Sequence, residues 1–357
     1  MKRYVTLTLA LLLVLMTAGC GASSSSPAAP SSAAPAVSSS GAAVSSAPAD
    51  ASGFKPMEDT YLTMASGSSG GGWYIMGAGL NDAFEELLPA HMTMIPGGGS
   101  TNPTLVNDGK EVQVGFTYIA NAKAAVAGQF DYEGQKCDNL RALCCLNVVQ
   151  YLTVCATPDS GFKSITDMIN NPTKLKIAVG PRGGGNEILL NRLLESYGTS
   201  LDALSAAGAS VQYISAAEGM SAIKDGQVNV VNYMSSLPLT SLVETLASMK
   251  LNFIGLDKAE STKACDKYGY SYQAIPAGTY DGQAEDVYTL SDTVILVVNS
   301  EMKDEVAYNL AKIISENEQR WRDVHASFDA FDPQKAAETG IVLHSGAESY
   351  YKEAGLL

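Results

Sequence analysis

The sequence predicts an α/β fold of two similar lobes around a ligand cleft. A short apolar strand, TYLTMA (60–65), runs into the glycine-rich loop SGSSGGGWY (66–74) just where a helical pattern begins. The same arrangement recurs at LKIAV (175–179) and GPRGGGNE (180–187). Landmarks repeat at nearly constant spacing, 113 residues from Gly70 to Gly183 and 117 from Gly109 to Gly226. Alternating strands and helices imply mainly parallel sheets covered on both faces. Ligands in such sheets sit outside the carboxyl ends of the strands, where both glycine loops fall.

The first residues read as an export signal. Lys2 and Arg3 precede the apolar run 5–16, which is short for a membrane span, and then TAGC (17–20). The small residues before Cys20 resemble a bacterial lipoprotein cleavage site, with Thr17 where leucine is usual. Residues 1–20 are therefore expected to be a lipoprotein signal peptide that leaves a lipidated Cys20; the alternative is an ordinary cleaved signal. Such an anchor buries acyl chains and does not span the bilayer. Residues 21–56 are rich in Ser, Ala and Pro, cannot build a core, and read as a disordered tether.

Lobe 1 is expected from 57–150 and 288–357, and lobe 2 from 151–287. After the first loop, Trp73, Met76, Leu80, Phe84 and Leu87 recur at helical spacing. MTMIPGGGSTN (92–102) is another strand running into glycines, followed by residues suited to cap a helix. VQVGF (112–116) reads as a strand and Tyr118 to Val126 as a helix. The apolar run 140–156 crosses towards lobe 2. There, 164–171 reads as a helix, VQYI (211–214) as a strand, 216–226 as a helix and VNVVNYM (228–234) as a strand. Helices over 238–249 and 257–268 flank the strand 251–255. The strand 288–300 returns to lobe 1, and one long helix covers 302–323.

A net charge of −14 argues against nucleic acid, whose phosphates require Lys and Arg. It leaves room for a small anion, because a few aimed N–H groups and one Arg dominate locally over diffuse charge. Free N–H groups at a helix N-terminus favour an anion, and glycine lets the backbone approach it closely. Neither loop has the spacing of a Walker phosphate loop or a dinucleotide fingerprint. Arg182 can grip a carboxylate with two prongs, or stand solvated on the surface. Asn186 can cap a helix or touch a ligand, and Glu187 suits the helix dipole. Trp73 and Tyr74 can wall a pocket. Thr117, Tyr118 and Tyr233 fall at the same sheet edge and are candidates to line the cleft. Of the six cysteines, Cys137, Cys144, Cys145, Cys155 and Cys265 remain beside Cys20, without metal-site spacing. Export permits disulfides, but buried thiols are favoured for the apolar stretch. His91, His325 and His344 are scattered, and no catalytic set emerges, so neither an enzyme nor a cofactor is expected.

These residues resemble the TAXI-type solute receptors of tripartite ATP-independent periplasmic (TRAP) transporters. The resemblance covers roughly 60–355 and rests on SGSSGGGWYIMGAGL (66–80), GGGSTNPTLVNDGKEVQVGF (97–116), AVGPRGGGNE (178–187), IPAGTYDGQAEDV (275–287) and HSGAESYYKEAG (344–355). It implies a type II periplasmic-binding-protein fold, an organic-anion or amino-acid ligand, and delivery to a TRAP permease. It places ligand contacts at Gly70, Gly71, Trp73, Tyr74, Ser100, Asn102, Thr117, Gly183, Gly184, Gly185 and Asn186. Gly184 and Asn186 stand where Ser and Thr are common in the family. The expected protein is an extracytoplasmic, lipid-anchored receptor for a small carboxylate. A sensor that passes its ligand-bound state to a membrane signalling receptor is the alternative, and an exported enzyme a third.

Overall fold

The computed structural model describes residues 53–69 and 71–357. The export signal with Cys20, the tether up to residue 52, and Gly70 lie outside the described residues. The order of elements is β1 (Thr60–Ala65), α1 (Gly72–Leu87), β2 (Ala90–Ile95), α2 (Asn102–Asp108), β3 (Val114–Tyr118), α3 (Ile119–Ala127) and β4 (Leu140–Ala156). Then follow α4 (Ile165–Asn170), β5 (Lys176–Val179), α5 (Gly185–Ser196), α6 (Leu201–Ala206), β6 (Ser210–Tyr213), α7 (Ala216–Lys224) and β7 (Val230–Ser235). The chain closes with α8 (Thr240–Leu246), β8 (Asn252–Phe253), α9 (Lys258–Tyr268), β9 (Ser271–Ile275), β10 (Val287–Asn299), α10 (Asp304–Glu316), α11 (Glu318–Val324) and α12 (Ser345–Glu353).

The strands run in the order β2-β1-β3-β10-β4-β7-β5-β6. In each half a parallel trio with its first strand in the middle, β2-β1-β3 or β6-β5-β7, is joined to the pair β10 and β4. The two halves share more than this order. Helices α1 and α5 start 113 residues apart, each on an extended glycine, Gly71 (φ −80, ψ 165) and Gly184 (φ −81, ψ 157). Gln113 donates its backbone N–H to Thr63 O (3.0 Å) and accepts the Thr63 N–H on its side chain (2.9 Å). Asn229 does the same for Lys176, at 2.8 and 2.9 Å. Gly109 and Gly226 both take φ +68, the left-handed conformation that the two Asp-Gly turns require.

β4 and β10 run through both halves. Residues 294–298 of β10 pair with β3, while 287–291 pair with β9. Residues 151–156 of β4 pair with β7. Between them the ladder is irregular: residues 146–148 of β4 face Val294 alone, and Asn147 takes φ +53. Bulges of this kind bend and twist a strand.

The largest cluster of buried apolar side chains continues through both halves, and a second lies beneath α7 and α8. The stretch expected as one helix over 302–323 is two, α10 and α11, broken at Asn317 (φ −117, ψ 39). The break lets Trp321 turn fully inward and donate its indole N–H to Ile314 O at 2.6 Å. Strand β9 lacks a counterpart in the sequence reading because its alternation, SYQAI, is short and mostly half-buried. The five cysteines of the described residues are free thiols. Burial pushes the Cys145 thiol up to about 11. Among the described residues, no helix is long and apolar enough to cross a membrane.

Candidate functional site

Both glycine loops end in helices without a side-chain cap. Neither Gly71 before α1 nor Gly184 before α5 offers one. Ser164, Ser200, Ser215 and Asp257 cap α4, α6, α7 and α9, whereas α2, α3, α8, α10 and α11 also start without a side-chain cap. A helix start lacking such a cap holds first-turn N–H groups that no capping side chain serves, and its dipole favours negative charge. Part of the second loop is already engaged: the Gly183 N–H donates to Glu187 Oε2 at 3.1 Å.

The second glycine loop meets the 97–101 loop across the two half-sheets. Ser100 Oγ donates to Gly183 O at 2.8 Å, and Tyr132 OH donates to Ser100 O at 2.7 Å. Thr117, fully buried, donates its hydroxyl to Gly99 O at 2.6 Å. The Tyr118 ring is the common wall. A Cβ on Gly99 would lie 2.8 Å from it and 3.2 Å from Trp73, and a Cβ on Gly185 would lie 3.0 Å from it. Trp73 packs on Tyr118 at 4.8 Å and on Phe116 at 5.6 Å between ring centroids. Gly71, Trp73, Ser100, Thr117, Gly183, Gly184 and Gly185 are thus gathered in one region, around a tyrosine at the end of β3. Tyr74 is half-buried on the first turn of α1.

Four expected ligand residues are differently employed. Asn102 is fully buried and donates to the carbonyls of Ala65, Ser66 and Phe116 at 3.0, 2.8 and 2.8 Å. Its Oδ1 accepts the Gly98 N–H at 3.0 Å, so its amide is spent on backbone. Asn186 does not cap α5 with its side chain; its Oδ1 accepts the Met234 N–H at 2.5 Å and so ties α5 to β7. Tyr233 points away from the cleft, into the core beneath α7, where its hydroxyl donates to Ser215 O at 3.0 Å. Arg182 is turned outward. Its guanidinium lies 3.9 Å from the Tyr213 ring and 3.7 Å from Asp202, and its side chain is 63% exposed. Exchanging Arg182 for alanine is therefore expected to change the affinity for a cleft ligand less than about twofold. Titration calorimetry checks it, and a tenfold loss would return Arg182 to the cleft.

Among the described residues the buried Lys or Arg is Arg192, on α5. It donates to Tyr270 OH at 2.8 Å, Asn121 Oδ1 at 3.4 Å and Asp131 Oδ2 at 2.5 Å, tying α5 to α3. The sequence signal was a lone charge inside the apolar stripe Leu189, Leu190, Leu193, Leu194. Asp292 is signalled in the same way within the apolar run of β10. It accepts N–H groups from Ala120, at the start of α3, and from Thr293. Burial raises its carboxyl to about 7, against the opposing pull of those donors and of Arg192. A folded value above the unfolded one near ~3.9 means that stability is complete below ~4 and falls as pH rises through about 7. Asp292→Asn keeps an acceptor without the charge. It is expected to flatten this decline in urea midpoints measured from pH 4 to 8; an unchanged slope would refute the assignment.

His325 stands beside the first loop, its Nε2 3.3 Å from where a Cβ on Gly72 would lie. Its Nδ1 accepts the Ser327 N–H, which leaves the proton on Nε2. Ser327 in turn hydrogen-bonds Ser236, beyond β7, at 2.6 Å. A groove of about 380 Å³ runs along α5 past Asp131, Glu187 and Lys267, and it borders the second glycine loop through Glu187. Its cations are already paired, Arg192 with Asp131 and Lys267 with Glu195, so it offers an anion less than the glycine loops do.

A profile of the NMT1-like family matches residues 64–355. Among solved structures, the chain is similar to a TctC solute binding protein from Polaromonas, at 12% identity over 84% of this chain and 99% of that one, with a TM-score of 0.46. It is similar to the periplasmic aliphatic sulphonate binding protein SsuA from Escherichia coli at 12% identity, over 84% of this chain and 88% of that one, again with a TM-score of 0.46.

Proposed function

We propose a function from the premise that this chain belongs to the NMT1-like family: it is an extracytoplasmic solute-binding receptor for a small carboxylate. The observation that carries the reading is that the uncapped starts of α1 and α5 share Tyr118 as a wall, while Ser100 of the 97–101 loop fastens to Gly183 of the second glycine loop. N–H groups of Gly72 and Trp73 on one side, and of Gly185 and Asn186 on the other, would hold the anion. Trp73 and Tyr118 would cover its carbon skeleton. β4 and β10, whose ladder is interrupted by the bulge at Asn147 of β4, would let the halves part and close as a hinge. In this reading Cys20 carries a lipid that anchors the receptor to the cell membrane, and closure presents the ligand to TRAP permease subunits. The ligand is a glutamate-like amino acid or an organic acid.

The test is titration calorimetry of residues 53–357 with a panel of organic acids and acidic amino acids. Binding of at least one at micromolar strength is expected, and none binding would reject the ligand class. Growth on that solute, lost on deletion of the gene and of an adjacent permease gene, separates transport from sensing.

A further inference from the structure

We infer that Asn232 is a ligand-contacting residue in the floor of the cleft, resting on the receptor reading above. Its residue is wholly buried, and neither its Oδ1 nor its Nδ2 has a hydrogen-bond partner among the described residues. A buried amide left bare costs stability, so such a group calls for a partner that is not part of the chain.

Two lines place that amide under the start of α5. The first is strand alternation. Tyr233 and Val231 of β7 face the core beneath α7, so Asn232 faces the opposite side with Val230 and Met234. Leu189, Leu190, Leu193 and Leu194 of α5 pack on that side. The second is the repeat. The spacing that takes Thr63 to Lys176 takes Trp73 to Asn186. The spacing that takes Gln113 to Asn229 takes Phe116 to Asn232. Thus the stacked pair Trp73 and Phe116 of one half is replaced in the other by two asparagines. Asn186 is engaged with the Met234 N–H, which leaves Asn232 as the bare one. The cleft so built is asymmetric, aromatic beside α1 and amide-bearing beneath α5.

The chemistry narrows what is held. A carboxamide offers a donor and an acceptor side by side. A plain carboxylate would satisfy Nδ2 and leave Oδ1 bare. The ligand end seated there therefore brings a donor next to its acceptor, as a 2-hydroxy- or 2-amino-carboxylate does.

The test is a set of thermal melts of the purified chain and of Asn232→Leu, alone and with succinate, malate, glutarate or glutamate. Leucine keeps the volume and removes the bare amide, so the ligand-free Tm is expected to rise by about 2–4 °C. The ligand-induced rise is expected to be larger for malate than succinate, or for glutamate than glutarate. That preference is expected to vanish in the variant. A lower ligand-free Tm would mark Asn232 as structural and overturn the proposal. An unchanged preference would overturn it as well. If none of the four acids shifts the parent protein, the carboxylate reading fails for this panel. Native mass spectrometry of solute retained by parent and variant then decides Asn232: retention lost in the variant supports it, and equal retention refutes it.

Discussion

Asn102→Leu is expected to cost at least ~3 kcal/mol of folding free energy, read as a lower urea midpoint at unchanged slope. The reason lies in where its amide hydrogens go. They tie the ends of β1 and β3 together, through Ala65 and Ser66 on one side and Phe116 on the other. The amide oxygen fixes the turn of the 97–101 loop through the Gly98 N–H. Leucine would fill the same volume but strand three buried acceptors and one half-buried donor. Unmade buried hydrogen bonds cost more than made ones contribute, which sets the sign and the size. The glycine loops depend on this clasp for their shape, so ligand affinity should fall with stability. A loss under ~1 kcal/mol would show that the loops hold themselves.

Gly185→Val is expected to separate closure from folding. Residue 185 opens α5 and its φ lies outside the left-handed region, so the backbone there tolerates a side chain. Its Cβ, however, would come within 3.0 Å of the Tyr118 ring, which belongs to the other half-sheet. Two further methyl groups deepen the clash. The halves would be propped apart at the point where Ser100 and Gly183 meet. Affinity for a cleft ligand should drop tenfold or more, about 1.4 kcal/mol, while the ligand-free Tm moves little. Calorimetry beside a thermal melt reads both quantities. Intact affinity would mean that the ligand is held by one half alone.

These expectations also show what could be read without coordinates. The glycine loops, the helices after them and the Asp-Gly turns were legible because each rests on local chemistry. Glycine before an apolar helical pattern has few other meanings. The paired landmarks were legible because repetition is visible in one sequence. The direction of side chains was not. Arg182 looked like an anion grip because it lies in the loop, yet the Tyr213 ring and Asp202 draw it outward. Tyr233 lies at the expected sheet edge, but a strand has two faces, and Gly219 opens room for its ring on the far one. Asn102 has a ligand-like side chain whose partners are backbone carbonyls brought together only by the fold. The long helix over 302–323 kept its apolar period through the break at Asn317, because α10 and α11 both face the same core. Arg192 and Asp292 were detectable as charges in apolar stripes, though not their partners, such as Asn121, Asp131 and Tyr270 around Arg192 and Ala120 beside Asp292, which are distant in sequence.

The crossing strands have a consequence for how the chain comes to be folded. β3 is written early, yet its neighbour β10 is the last strand of the described residues; Val114 pairs with Val298. β4 likewise lies between partners from distant parts of the sequence. Neither half-sheet is complete until residue 299 is available. Such non-local pairing makes folding slow, because chain entropy must be lost before the contacts repay it. Excising either half would leave it without a strand pair that both share, so one cooperative transition is expected, with no autonomous half to accumulate. A nascent chain of this design stays unfolded until nearly all of it has been synthesised.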